Sequence, residues 1–205
     1  MEPFDAETER SLRYRAKAFL RQRARALRNS IPRSGILERS GRIALAVAGL
    51  PVVADAGSVA LFYPIEGRNE VDLTGLDASL RARGVRVAYP TIHPETREMT
   101  FRFVDDPADL EERGFGFREP RESAPLASTL DVIVVPALQI DDRGYRLGYG
   151  AGYYDRTLPR FCPPACSVGV AFSFQLIPEV PVTEGDVPVS LVVTDDRVYR
   201  VGQGA

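Results

Sequence analysis

The chain has 205 residues, the length of one domain with room for a sizeable core. Lys and Arg total 26 against 28 Asp and Glu, so no overall field points to nucleic acid or a membrane surface. No apolar run reaches the roughly eighteen residues of a membrane span, and the acidic start M-E-P-F-D-A-E-T-E lacks the apolar core of a secretory signal.

Residues 1–9 are expected to form a flexible extension of a single domain covering residues 1–205. Residues 10–31 read as an amphipathic helix, with Leu12, Ala16, Phe19, Leu20, Leu27 and Ile31 on one side. Pro32 ends it, because proline disfavours helix in the residue before it. Residues 10–28 hold eight basic side chains and no acid, which suits either a solvated face or a nucleic-acid patch. Lys17 is the sole lysine of the chain. It stands one turn from Arg21, so both can lean into a neighbouring cleft, and an ammonium beside a planar guanidinium suits a triphosphate.

A second helix is expected over residues 36–50, weakened by Gly41 and Gly49. Residues 58–63 (S-V-A-L-F-Y) read as a buried strand leaving at Pro64, and Glu70 follows in the loop that opens the next helix. On its own, Glu70 reads first as a first-turn acid favoured by the helix dipole. Residues 72–83 form that helix, ended by Gly84, and residues 85–89 a strand closed by Pro90. His93, the sole histidine, has no evident partner and reads as structural. Residues 99–104 alternate like a half-exposed strand. Residues 110–120 read as an ordered loop, with Glu119 in a structural turn.

Residues 131–136 (D-V-I-V-V-P) have the β-branched, wholly apolar character of a buried strand. Residues 143–155, R-G-Y-R-L-G-Y-G-A-G-Y-Y-D, then place glycines at 148, 150 and 152. Glycines let backbone N–H groups curl around a phosphate, Arg146 adds a forked donor, and Asp155 is a hard ligand suited to Mg²⁺. A glycine-rich surface turn is the bland alternative, although four tyrosines make this a poor flexible linker. Neither G-x-G-x-x-G nor the P-loop pattern is present. Residues 154–160 read as a short helix whose N-terminus would favour an anion in the loop before it. Cys162 and Cys166 have no second pair to complete a metal site, so they read as reduced cytosolic thiols. Residues 167–172 and 191–194 complete the strands, and a hairpin-like tail follows.

Strands alternating with helices, several strands wholly apolar, argue an α/β fold: a three-layer α/β/α sandwich with a mainly parallel sheet and helices on both faces.

Residues 131–155 closely resemble the 5-formyltetrahydrofolate cyclo-ligase family, whose pattern is a strand ending in Pro, then D-x-x-G, then R-L-G-x-G-x-G-Y-Y-D. Ala151 departs from the further glycine often found there. The likeness extends from Lys17 to Thr194: Lys17-x-x-Leu20-Arg21, Tyr63 and Pro64, Glu70-Val71-Asp72-Leu73, Gly116-x-x-Glu119-Pro120, and Gly169, Ala171, Phe172, Gln175, Pro181 and Asp186. The resemblance implies conversion of 5-formyltetrahydrofolate to 5,10-methenyltetrahydrofolate with ATP and Mg²⁺. Lys17, Arg21 and Arg146 would be the catalytic cations. Arg146, Leu147, Gly148, Tyr149, Gly150, Ala151, Gly152, Tyr153 and Tyr154 would bind ATP together with Lys17 and Arg21. Tyr63, Glu70 and Tyr153 would face the folate, and Asp155 and Asp186 would hold Mg²⁺. Asp186 by itself reads also as a turn aspartate beside Gly185. A cytoplasmic monomer with no nucleic-acid or membrane partner is expected. A paralogue acting on another substrate and a non-catalytic folate-binding module are the remaining readings.

Overall fold

The computed structural model describes residues 5–113 and 116–202. Helix α1 (Ala6–Ser30) is capped by Asp5, whose side chain accepts from the Thr8 N–H at 2.8 Å. It therefore starts four residues earlier than the periodicity suggests, and residues 6–9 form its first turn instead of a loose extension; residues 1–4 lie outside the described residues. Helix α2 (Arg33–Ala48) leads to the short α3 (Pro51–Ala54), then strand β1 (Ser58–Ala60), helix α4 (Thr74–Ala82), and strands β2 (Arg86–His93) and β3 (Glu98–Phe103). The short strands β4 (Glu111–Glu112) and β5 (Arg118–Glu119) pair as a hairpin. Strand β6 (Val132–Pro136) is followed by the small pair β7 (Gln139–Ile140) and β8 (Arg146–Leu147), helix α5 (Tyr153–Thr157), and strands β9 (Cys166–Val170), β10 (Leu191–Val193) and β11 (Val198–Arg200).

Seven strands form one sheet in the order β11-β10-β9-β6-β1-β2-β3. The central pairs are all parallel, and the edge pairs β2–β3 and β10–β11 are antiparallel hairpins. Strand β2 runs through Pro90 instead of stopping there. Its pairing with β1 ends at Ala88, so a residue without an N–H breaks no ladder on that side.

The parallel strands are buried on both faces, which is why their sequence is apolar without alternation. On one face Val59, Val132, Val134 and Val168 pack against Ile36, Ile43 and Val47 of α2 and Leu76 and Leu80 of α4. On the other, Ala60, Ile133, Val135 and Val192 meet Phe101, Leu158, Ala165 and Val189. Each large side chain buried this way contributes about 1.5–3 kcal/mol relative to exposure. Helices thus cover one face fully; the second is covered by the five-residue α5, the 3₁₀ turn Leu158–Arg160 and irregular chain.

Helix α1 does not bury the apolar stripe expected of it. Leu12, Phe19 and Leu27 are exposed, while Lys17, Ala24 and Arg28 are buried. The inward face is the polar row Lys17, Arg21, Ala24 and Arg28, spaced four, three and four residues apart. The hydrogen bonds made by that row, described below, run to the ends and loops of the sheet layer, so its inward residues are chosen by polar partners.

Candidate active site

The carboxyl ends of parallel strands are the usual ligand position in open α/β sheets. Here they border a cleft of about 1020 Å³ of empty space, its open mouth included. Phe62 and Tyr63 follow β1, Pro90 and Ile92 belong to β2, Pro136 ends β6, and Ala137 and Leu138 follow it. Met99, Phe117, Tyr153 and Tyr154 complete walls that are largely apolar and aromatic, as a flat organic ligand requires. The polar groups on its lining include Glu70, Arg118, Glu119, Arg146 and Asp155. Tyr63, Glu70, Arg146, Tyr149 and Tyr153 are therefore brought to one cleft from two separate stretches of chain, 63–70 and 146–153.

Beside the cleft lies a charged cluster. Lys17 Nζ donates to Asp186 and to Thr183 Oγ1, the latter at 2.7 Å, and is 4% exposed. Arg146 donates through Nη2 to Asp155 Oδ1 at 2.9 Å and through Nη1 to the Val187 carbonyl at 2.5 Å. Arg21 Nε donates to the Gly148 carbonyl at 3.0 Å, which ties helix α1 to the glycine loop. Burial lowers the pKa of Arg146, and Asp155 opposes that shift; burial also lowers Arg21, with Arg25 adding to the effect and Asp186 opposing it. Three cations facing two carboxylates leave a net positive site for a polyanion.

Within the loop, Gly150 (φ +108°) and Gly152 (φ +69°) need glycine for backbone reasons, and a Cβ at Gly152 would sit 3.0 Å from Arg156 Nη1. Ala151 has no positive φ, so its methyl group is accommodated without backbone strain. Helix α5 is one and a half turns long, too short for its dipole to dominate what the loop binds.

Glu70 is held on both oxygens. Oε1 accepts from Tyr149 Oη at 2.5 Å and Oε2 from the Ile65 N–H at 2.8 Å. Arg28 Nη2 in turn donates to Tyr149 Oη at 2.6 Å, and its guanidinium lies 3.8 Å from Glu70. Burial and the Glu70 charge raise the Tyr149 pKa, keeping the phenol a donor. Arg25, Arg28 and Arg68 all lie over the Tyr149 ring, at 5.4, 5.8 and 5.1 Å from its centre. Asn69, at φ +49°, donates to the Arg28 and Ile31 carbonyls at 3.3 and 3.1 Å and closes the end of α1 over this group.

Arg28, Asn69 and Thr183 were not singled out by the sequence reading. The row Lys17, Arg21, Ala24, Arg28 carried the signal for Arg28, but the apolar stripe competed with it. Glu119, expected in a structural turn, lines the cleft at 9% exposure; residues 114–115 of the same segment lie outside the described residues. His93 pairs with Thr100 Oγ1 at 3.0 Å across the β2–β3 hairpin and does not line the cleft. Cys162 and Cys166 are free thiols whose pKa values burial raises, so neither is an activated nucleophile.

The donor chemistry is compatible with Mg²⁺. Asp155 uses Oδ1 for Arg146 and the Val187 N–H, and Asp186 uses Oδ2 for Lys17 and Thr183. That leaves Asp155 Oδ2 and Asp186 Oδ1 without a protein partner among the described residues. Carboxylate oxygens of this kind are the hard ligands that Mg²⁺ prefers, so Asp155 and Asp186 are the residues that would hold it.

A mainly parallel sheet, an aromatic cleft at its strand ends and a cationic cluster bonded to a glycine loop define an α/β protein with a largely apolar cleft beside a charged cluster. A sequence model of the 5-formyltetrahydrofolate cyclo-ligase family matches residues 13–195. The 5-formyltetrahydrofolate cyclo-ligase of Escherichia coli K12 is 34% identical over 187 residues, covering 88% of this chain and 99% of that protein. That of Mycolicibacterium smegmatis is 34% identical over 167 residues, covering 78% and 77%. The NMR structure of Aquifex aeolicus 5,10-methenyltetrahydrofolate synthetase superposes with a TM-score of 0.80 at 32% identity, covering 92% of this chain and 94% of the other. The chain belongs to the 5-formyltetrahydrofolate cyclo-ligase family and is an enzyme of the ligase class.

Proposed function

We propose that the protein converts 5-formyltetrahydrofolate to 5,10-methenyltetrahydrofolate, with ATP going to ADP and phosphate, in cytoplasmic one-carbon metabolism. The observation that carries this reading is the position of the glycine loop, bonded to Arg21 on the cationic side and through Tyr149 to Glu70 in the aromatic cleft. Such a loop can set a phosphate chain against a flat ring. The side chains of both parts come from one chain, so the reading needs no second copy.

The chemistry explains the parts. A formyl oxygen in an amide-like group is a poor leaving group. Its attack on the γ-phosphorus of ATP expels ADP and gives an N5-iminium phosphate; N10 then attacks the iminium carbon, phosphate departs with the former formyl oxygen, and the N10 proton is lost. Transfer of this kind depends mainly on positioning and on charge stabilisation. Lys17, Arg21 and Arg146 supply the cations, and the backbone of residues 148–152 cradles the phosphates. Asp155 and Asp186 would hold Mg²⁺, which neutralises phosphate charge when bound. The aromatic walls, Tyr63 and Tyr153 among them, exclude water from the activated intermediate, and Glu70, fixed by Tyr149, orients the folate. No covalent nucleophile is needed.

The test is a near-ultraviolet absorbance assay of the methenyl chromophore with purified protein, Mg²⁺, 5-formyltetrahydrofolate and ATP. Growth of the band only with ATP present is expected. A flat trace from folded protein that still binds ATP would sink the reading.

A further inference from the structure

Phosphoryl transfer leaves one carboxylate of the cleft without a task. Glu119 on β5 is 9% exposed, and its Oε1 accepts a single hydrogen bond, from the Ile92 N–H at 3.3 Å. Among the described residues, no side chain donates to Glu119, and Oε2 accepts nothing. The other acids of the cleft have charged or hydroxyl donors: Glu70 accepts from Tyr149 and Ile65, and Asp155 Oδ1 accepts from Arg146 and Val187, its Oδ2 being the oxygen offered to Mg²⁺ above. Arg118, next in sequence, places its guanidinium over the Tyr63 ring at 5.5 Å. Burial raises the Glu119 pKa, the mark of a carboxyl poorly solvated by water or protein.

A desolvated acceptor with spare lone pairs is costly unless a ligand donates to it. Two carboxylate oxygens match two parallel N–H donors on one planar edge, the geometry that makes fork-to-fork pairs strong and specific. The ring system of a reduced folate presents such an edge, its 2-amino group beside the adjacent ring N–H. Ile92, Met99 and Phe117 line the same cleft as apolar walls for the ring. We propose that Glu119 recognises this amidine edge and so fixes which way round the ring enters, leaving N5 and N10 free for the reaction. The assignment rests on the folate reading above.

The test pairs a protein change with a ligand change. 5-Formyltetrahydrofolate and its 2-desamino-2-methyl analogue, which lacks the exocyclic donor, are compared on wild type and Glu119→Gln by calorimetric titration without ATP and by turnover. Wild type is expected to bind the analogue about tenfold or more weaker, the usual penalty for leaving a site's polar group unpaired. Glu119→Gln is expected to raise KM for the natural folate by a similar factor, with a smaller change in kcat, and to distinguish the two ligands by less than about threefold. A variant that keeps the wild-type discrimination overturns the assignment. So does a wild type that binds both ligands equally, a result that needs no variant to fold. Turnover without discrimination removes only the role of Glu119; discriminating binding without ATP-dependent turnover removes only the ligase reading.

Discussion

The hydroxyl of Tyr149, in the glycine loop, lies 2.5 Å from the Glu70 carboxylate, 79 residues away in the sequence. Arg28 completes the group from helix α1, so one tyrosine joins the glycine loop, a carboxylate of the cleft and the first helix. Replacing Arg28 by Met removes the donor to Tyr149 and leaves Glu70 without its nearby cation. Loss of a charge-assisted contact of this kind costs on the order of 1.4 kcal/mol or more, so kcat/KM for the folate should fall about tenfold. Steady-state kinetics check it. If Arg28→Met retains wild-type kcat/KM, the triad does not orient the substrate.

Asp155→Asn should depress turnover strongly, and the remaining activity should require more Mg²⁺. Titrating Mg²⁺ separates this from simple loss of the Arg146 ion pair, which added metal would not restore. Near-normal turnover at saturating Mg²⁺ would remove Asp155 from the metal site.

Gly152→Ala puts a Cβ on a residue at φ +69°, 3.0 Å from Arg156 Nη1. A left-handed alanine costs about 1 kcal/mol, so a melting temperature lower by about 2–4 °C is expected for a chain of this size. The Arg156 guanidinium, which also bonds the Arg97 and Ala151 carbonyls, would have to shift. A melting curve unchanged from wild type would show that the loop relaxes freely at this point.

Glu119 should make stability depend on pH. Burial raises its folded pKa, with the Ile92 N–H, Arg113 and His93 opposing. The folded chain therefore holds this proton more tightly than the unfolded one. The resulting stability is present in full below the unfolded carboxyl pKa and is lost as pH rises through the folded value. Glutamine mimics the protonated form, so Glu119→Gln should melt higher than wild type near about pH 8 and lose that advantage toward about pH 4. A pH-independent difference between the two melting curves contradicts the shift. Stabilisation coupled to weaker folate binding is what a group strained for recognition predicts.

The sequence by itself determined the parallel core and the chemistry-bearing loop. Runs such as Val132–Pro136 can only be central strands, because no exposed face would tolerate them, and glycines at 150 and 152 stand where positive φ is required. The pattern of residues 131–155 was long enough to mark the family. Tertiary structure alone decided which face of α1 turns inward. Local periodicity favoured the apolar stripe through Phe19 and Leu27, yet that stripe is exposed, because the partners waiting beneath the helix are the polar groups Asp186, Thr183, Gly148 O and Tyr149. It decided Glu119 as well. A hairpin glutamate carries the same local signal whether it faces water or a cleft; only the packing of β5 beside β2 desolvates it. Periodicity reports contacts within one element, whereas the burial of a charge depends on which distant elements meet around it.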